Sequence, residues 1–203
     1  MSVEVVVQKL TRETLWSLEQ YAVEREAFRR MVIEHKRARR VALGAHATLL
    51  FEDFLTMKYQ VQEMLRVERI FEPDAIEDEI AAYNPLIPDG TNWKATLLIE
   101  YEDVAERAAA LKRMPGVEHR VWVGVGDTPR TFAVADEDLD RTDRDKTAAV
   151  HFLRFELDPD RVDAVAAGAA VTLGIDHDEL RCRVTLDDHT AAALAGDLIP
   201  TGG

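Results

Sequence analysis

The second half of the chain repeats one order of elements, strand, helix, strand, strand, and this repetition constrains the fold more than any other feature. The first copy opens with the β-prone residues 95–101 and the second with residues 150–157. In each copy an Asp-capped amphipathic helix and two further β-prone segments follow. Gly124 in the first copy matches Gly174 in the second. We therefore predict a tandem βαββ duplication.

Two such units side by side predict one six-stranded, mostly antiparallel sheet with helices packed on one face. An acidic linker, residues 136–146, joins the copies, and a closing helix over residues 189–198 covers the end. The predicted strands are residues 95–101, 121–125, 130–138, 150–157, 171–175 and 181–189, and the predicted helices are residues 103–114 and a helix that begins at Asp158.

The first 90 residues are predicted to be helical apart from one hairpin. Thr11 is the expected N-cap of a long amphipathic helix that runs to Arg39. The other predicted elements are a hairpin of residues 40–43 and 47–51, a helix over residues 53–70 and a short helix over residues 74–83. Two prolines and a glycine within residues 84–90 mark a joint. The fold class is therefore α+β, with a helical region over residues 1–90 and the duplicated sheet domain over residues 91–203, packed as one compact unit.

Charge is unevenly distributed along a chain whose net charge is −13. Residues 1–70 carry 12 basic and 10 acidic side chains, whereas residues 71–203 carry 13 basic and 28 acidic ones. The acidic second part repels phosphate backbones, so the sequence argues against binding of nucleic acid except through the first part.

The one dense basic run closes the first predicted helix, where the helix dipole favours cations. This run contains Lys36, Arg37, Arg39 and Arg40. We favour helix capping and solvation as its role. The alternatives are binding of an anion or nucleic acid, and docking onto the acidic part of a second copy in a homodimer.

Several functional classes are disfavoured by what the sequence lacks. A single cysteine, Cys182, permits neither an intramolecular disulfide nor a thiolate-based zinc or iron-sulfur site within the chain. No apolar run approaches the roughly 20 residues that span a bilayer, and the N-terminus lacks the pattern of a signal peptide. The common hydrolase and nucleotide-binding motifs are missing as well. We therefore expect a cytoplasmic protein with no membrane partner.

Carboxylates on the helix over residues 53–70 are the first candidates for a site. Glu68 is expected on the stripe that faces the core, where a carboxylate needs an arginine, a metal ion or another acid as its partner. Glu63 lies on a neighbouring face, and Glu52 precedes the helix. His151 is expected to face the core of the sheet. The candidate metal ligands are Glu52, Glu63, Glu68 and His151, with iron, manganese or zinc as the ion.

A structural interpretation of the same residues is favoured over a metal site. It is an Arg-Glu network that ties the first helix to the second, with Arg25 or Arg29 as the basic partner. Further pocket candidates are Arg25, Arg29, Gln60 and Arg154.

Five segments of the chain resemble an uncharacterised bacterial family. They are residues 28–41, 48–52, 59–70, 83–88, which read Tyr-Asn-Pro-Leu-Ile-Pro, and 150–157. The family is known as domain of unknown function 3501. The resemblance implies no catalytic residue, but it implies a genomic setting beside rubrerythrin-like and iron-sulfur oxidoreductase-like proteins, and therefore a role near peroxide or iron redox chemistry.

Together these observations favour a soluble accessory or interaction protein without catalysis of its own, acting beside a redox or iron-handling system. The alternative is a metal-binding protein or an enzyme with a carboxylate and histidine site at the junction of the helical region and the sheet. Binding of an anion or nucleic acid through residues 36–40 is a third and weaker hypothesis.

Overall fold

The computed structural model describes residues 7–137 and 146–200 and has the α+β architecture that the sequence predicts. Its helices are α1 (Leu18–Arg37), α2 (Phe54–Glu68), α3 (Pro73–Tyr83), α4 (Val104–Arg113), α5 (Pro159–Ala166) and α6 (Asp188–Ala195). Its strands are β1 (Arg40–Leu43), β2 (Ala47–Glu52), β3 (Asn92–Ile99), β4 (Val121–Val125), β5 (Thr131–Phe132), β6 (Val134–Ala135), β7 (Val150–Glu156), β8 (Val171–His177) and β9 (Leu180–Thr185). Short 3-10 turns cover Arg12–Thr14, Asn84–Leu86 and Val117–Arg120.

The strands form two antiparallel sheets, so the prediction of a single six-stranded sheet is wrong. One sheet has the order β1-β2-β3-β7-β6 and the other the order β5-β4-β8-β9. Equivalent strands of the two copies pair with each other, with Ala95 opposite Leu153 and Val123 opposite Leu173. Each copy therefore gives its first strand to one sheet and its next strand to the other. Alternate side chains of both sheets meet in one apolar cluster, which is the core of the molecule.

The predicted hairpin is confirmed, and it lies in the five-stranded sheet. Strand β2 pairs with β3 along its whole length, from Ala47 opposite Ile99 to Glu52 opposite Lys94. It occupies the side of β3 that β7 leaves free. The hairpin of residues 1–90 thus extends the sheet that residues 91–203 begin.

The last strand of the first copy differs from the prediction of one strand over residues 130–138. It is divided into β5 and β6 at the buried residue Ala133, and residue 138 lies outside the described residues. Strand β5 pairs with β4 and β6 pairs with β7, so the chain passes from one sheet to the other at this point. Asp136, which the sequence assigned to a linker, is placed beside β7 as a result, and its N–H donates to the Phe152 carbonyl at 2.8 Å.

The first long helix begins later than predicted. Thr11 precedes a 3-10 turn, and α1 starts at Leu18 with Ser17 as its N-cap. The reason lies in Gln62 of α2, whose Oε1 accepts from the Trp16 N–H at 2.7 Å and whose Nε2 donates to the Trp16 carbonyl at 3.3 Å. Because both backbone groups of Trp16 are bound to another helix, they cannot join the ladder of α1.

Trp122 is the main packing feature on the face of the four-stranded sheet that is turned away from the core. It lies directly opposite Gly174 on β8, where a side chain at position 174 would overlap its ring. The Arg130 guanidinium stacks on the ring with its carbon 3.9 Å from the ring centroid. The indole is 2% exposed and therefore held tightly in place.

Candidate functional sites

A cleft of about 750 Å³ lies between α2, α3 and the outer face of the five-stranded sheet. Its walls include apolar side chains of these helices and of the loop that follows α3, and its floor is formed by β3 and β7. Apolar members of the lining are Met64, Leu86, Ile87 and Phe152. A cavity of this size with a mixed apolar and charged lining is typical of a small-molecule site.

Arg154, a candidate from the sequence, lies on the floor of this cleft and is paired with two carboxylates. Its Nε and Nη2 each donate to Glu137 at 2.8 Å, and its Nη1 donates to Glu156 at 2.6 Å. The hydrogen bonds with Glu137 raise the pKa of Arg154 and lower that of Glu137. Arg154 therefore orders the floor of the cleft, and its charge is balanced by two carboxylates of its own chain.

Lys94 is the cation in the cleft that remains available. It lies directly opposite Arg154 in the β3–β7 register and is half-buried. No hydrogen bond or ion pair engages its ammonium group among the described residues. Burial and the positive charge of Arg154 lower its pKa. Lys9, the other lysine of the lining, is already occupied because its Nζ donates to the carbonyls of Ile87 at 2.8 Å and Asn84 at 3.2 Å.

A second candidate site is a buried cluster around His151, which we call the His151 cluster. It consists of Glu118 from the turn before β4, Asp136 after β6, Thr147 before β7 and His151 on β7. The His151 Nδ1 lies 2.6 Å from the Asp136 Oδ2, and its Nε2 lies 2.7 Å from the Thr147 Oγ1. One ligand atom from each of Glu118, Asp136 and His151 lies within 4.8 Å of the other two. The side chain of His151 is fully buried, as its place in the alternating pattern of β7 predicted.

The four metal ligands proposed from the sequence do not come together. Glu63 binds Arg25 through two hydrogen bonds of 2.7 and 2.8 Å and accepts a third from the Tyr21 hydroxyl at 2.6 Å. This is the tie between the first two helices that the structural interpretation predicted, and the Arg25 contact lowers the pKa of Glu63. Glu68 is exposed, which corrects its assignment to the core stripe, because α2 ends there and its packed stripe ends at Leu65.

Glu52 is buried, as a ligand would be, but its oxygens are bound to hydroxyl groups. One oxygen accepts from the Thr56 Oγ1 at 2.6 Å and the other accepts from the Thr96 Oγ1 at 2.7 Å. Burial raises the pKa of this carboxyl. Of the other candidates, Arg29 is exposed and Gln60 is half-buried.

The four residues of the basic run at the end of α1 lie in different environments. The side chain of Arg39 is 5% exposed and donates to both oxygens of Asp197, at 2.9 and 2.7 Å. Arg37 pairs with Glu34 one turn earlier, and Arg40 pairs with Glu100. Lys36 lies over the ring of Tyr59, 5.8 Å from its centroid. Arg39 is thus unavailable to an external anion, since it is buried against a carboxylate of its own chain.

Sequence reasoning missed Lys94, Glu118 and Asp136. The signal for Lys94 was present, because a lysine between the apolar residues Trp93 and Ala95 must point to the opposite face of the strand. No comparable signal marks Glu118 or Asp136. Their meeting with His151 depends on the change of sheet between β5 and β6, which periodicity does not encode.

The two sheets with a shared core, together with six helices in the described residues, define an α+β protein. The chain belongs to the family described as protein of unknown function (DUF3501), whose model matches residues 9–198. It is also similar to a crystal structure described as a novel protein of unknown function from Burkholderia pseudomallei K96243. The identity is 48%, the TM-score is 0.90, and the match covers 95% of this chain and 100% of that chain. Comparison with curated proteins finds no match.

No helix in residues 7–137 or 146–200 combines the length and the apolar character that crossing a bilayer requires.

Proposed function

We propose that this protein binds a small amphipathic monocarboxylic acid in the cleft and serves as an accessory ligand-binding protein. The observation that carries the proposal is the half-buried Lys94 ammonium group in a cavity of about 750 Å³, where no residue in the described part of the chain forms a hydrogen bond with it. A half-buried ammonium group has lost part of its hydration. An anion that enters the cavity and accepts a charge-assisted hydrogen bond from it therefore stabilises it.

The remainder of the lining restricts the class of ligand. Glu79, Asp89, Glu137 and Glu156 also line the cleft. These carboxylates repel a multiply charged anion such as a phosphate ester, so one negative charge is favoured. The apolar wall formed by Met64, Ile87 and Phe152 suits an alkyl or aromatic body attached to that charge.

The Lys94→Met variant tests this assignment, with octanoate as the probe. Loss of one charge-assisted hydrogen bond costs about 1.5–3 kcal/mol, so we expect octanoate to bind at least about tenfold more weakly to the variant. Titration calorimetry measures the affinity, and chemical-shift changes at Lys94 and Phe152 locate the ligand. Octanol, which has the same chain without the charge, is expected to bind the wild type and the variant equally.

Lys112→Met is the matched control, because Lys112 is an exposed lysine on α4 outside the cleft. It is expected to bind octanoate as the wild type does. The proposal fails if octanoate binds the wild type no better than octanol, or if Lys94→Met leaves the affinity for octanoate unchanged.

An accessory role beside rubrerythrin-like or iron-sulfur proteins, which the family resemblance implies, is the second part of the proposal. We expect purified protein to retain a rubrerythrin-like protein at low salt and at micromolar concentration, and octanoate to change the amount retained. Absence of retention of both protein classes would contradict the role in redox or iron handling, whereas the binding of octanoate to the cleft would be unaffected.

A further inference from the structure

We propose that the His151 cluster is a buried site for one divalent first-row transition metal ion, with Glu118, Asp136 and His151 as ligands. The site is distinct from the cleft, because none of these residues lines the cleft. It also differs from the ligand set that the sequence suggested, with which it shares only His151.

The ligand atoms have nearly the spacing that one ion requires. Atoms bound to one zinc ion at about 2.0–2.2 Å are at most about 4.4 Å apart. In the His151 cluster one atom from each of the three side chains lies within 4.8 Å of the others. Asp136 contacts the Nδ1 of His151, and a Glu118 oxygen lies 4.0 Å from its Nε2, so one ion binds all three when the imidazole or a carboxylate rotates to bring them to the same nitrogen. The Thr147 Oγ1 lies 2.7 Å from the His151 Nε2 and 3.4 Å from a Glu118 oxygen. Its hydroxyl group can therefore orient the Glu118 carboxylate beside His151.

The surrounding backbone fixes the direction of Asp136. Its Oδ1 accepts from the Phe152 N–H at 3.0 Å, and its own N–H donates to the Phe152 carbonyl at 2.8 Å. This leaves Oδ2 directed at His151. Hydrogen bonds of this kind, which orient a ligating carboxylate through its second oxygen, are typical of protein metal sites.

The donor set defines the class of metal. One imidazole nitrogen and two carboxylate oxygens suit zinc, manganese and ferrous ions, whereas calcium and magnesium prefer oxygen ligands alone. Two carboxylates also balance the charge of a divalent ion, which removes much of the cost of burying it. The side chains of His151, Glu118 and Asp136 are 0%, 3% and 7% exposed, so an ion held there would exchange slowly.

His35 provides a matched comparison within the same molecule. Its Nε2 lies 2.5 Å from the Asp53 Oδ2, so it also forms a histidine–carboxylate pair. The same carboxylate oxygen lies 3.0 Å from the Arg39 Nε, so the third group at that pair is a guanidinium, which is not a metal ligand. Among the described residues, the His151 cluster is where a third potential metal ligand, Glu118, lies beside a histidine–carboxylate pair.

Elemental analysis tests the site on full-length protein produced without a metal-binding tag and in medium that contains zinc, manganese and iron. We expect about one equivalent of one of these metals in the wild type after desalting. Glu118→Gln and His151→Gln are expected to retain less than a tenth of that amount. His35→Gln is the control and is expected to retain the wild-type amount.

A second measurement keeps the result clear if a substitution prevents folding. Wild-type protein is unfolded in urea and refolded with EDTA, zinc chloride, manganese chloride or cobalt chloride. We expect a higher Tm with zinc or manganese than with EDTA, and ligand-field absorption bands with cobalt. The site is refuted if the wild type holds less than a tenth of an equivalent and no added metal changes its Tm, or if a folded Glu118→Gln variant retains as much metal as the wild type.

Discussion

Replacement of Arg39 by Met is expected to destabilise this protein by about 3–5 kcal/mol, because the change leaves a buried carboxylate without its cation. Arg39 donates to both oxygens of Asp197, whose side chain is 8% exposed, and its Nε lies 3.0 Å from Asp53. These contacts connect the end of α1 to the segment after α6, more than 150 residues away. Urea unfolding followed by circular dichroism at neutral pH measures the loss.

The neighbouring substitution Arg37→Met is the control. The Arg37 side chain is 71% exposed and pairs with the equally exposed Glu34 one turn earlier, so its removal is expected to change the stability by less than about 0.5 kcal/mol. Addition of Asp197→Asn to Arg39→Met should restore part of the loss, because the uncompensated charge is removed. A loss below about 1 kcal/mol for Arg39→Met alone would show that this pair does not stabilise the fold.

The penalty for Arg39→Met is expected to depend on pH in a defined direction. Burial raises the pKa of Asp197, and Arg39 opposes that shift, so the variant should have a still higher pKa at this carboxyl. A carboxyl whose pKa is higher in the folded state than in the unfolded state favours folding as the pH falls through the folded value. We therefore expect a smaller penalty at about pH 4.5 than at about pH 7.5. An equal penalty at both values would contradict this cause.

Gly174→Ala is expected to destabilise the four-stranded sheet by about 3 kcal/mol through overpacking. A Cβ at this position would lie 2.3 Å from one carbon of the Trp122 ring and 2.7 Å from the backbone oxygen of Cys182. The ring cannot withdraw easily, because Arg130 stacks on it, and the oxygen belongs to the neighbouring strand β9. Thermal unfolding measures the effect, and near-ultraviolet circular dichroism reports a displaced Trp122.

The duplication supplies the control, since Gly124 is the equivalent glycine of the first copy. A Cβ there would meet the Trp122 ring at 3.8 Å, an ordinary contact distance, so Gly124→Ala should change the stability by less than about 0.5 kcal/mol. Gly174→Ala should cost less in a Trp122→Val background than in the wild type, because the overlap with the ring is then absent. Equal effects of the two alanine substitutions would show that overlap with Trp122 is not the cause.

Local sequence patterns predicted most helices and strands within a few residues of their observed bounds. Strand β4 follows its prediction over residues 121–125, and the hairpin β1–β2 is present where two short β-prone segments predicted it. The exceptions have identifiable causes far away in the sequence. Trp16 is held out of α1 by Gln62, and the strand after residue 130 is divided because its two parts pair with different sheets.

The prediction of individual site residues was less successful for the same reason. Periodicity placed His151 in the interior, and it gave Arg25 or Arg29 as the partner of an acidic residue of α2, of which Arg25 forms the ion pair. It also placed Glu68 in the core, although the helix ends there and the side chain is exposed. A periodic pattern assigns a residue to one face of an element, but it does not specify what lies across from that face.

The sequence alone determined the α+β class, the repeated βαββ order and the polar or apolar character of each face, because these depend on residues close together in the chain. The tertiary structure alone decided that the copies divide their strands between two sheets, that Lys94 lies on the floor of a cleft, and that His151 meets Glu118 and Asp136. Each of these outcomes depends on which distant segments pair, and that choice is made by the packing of the whole core.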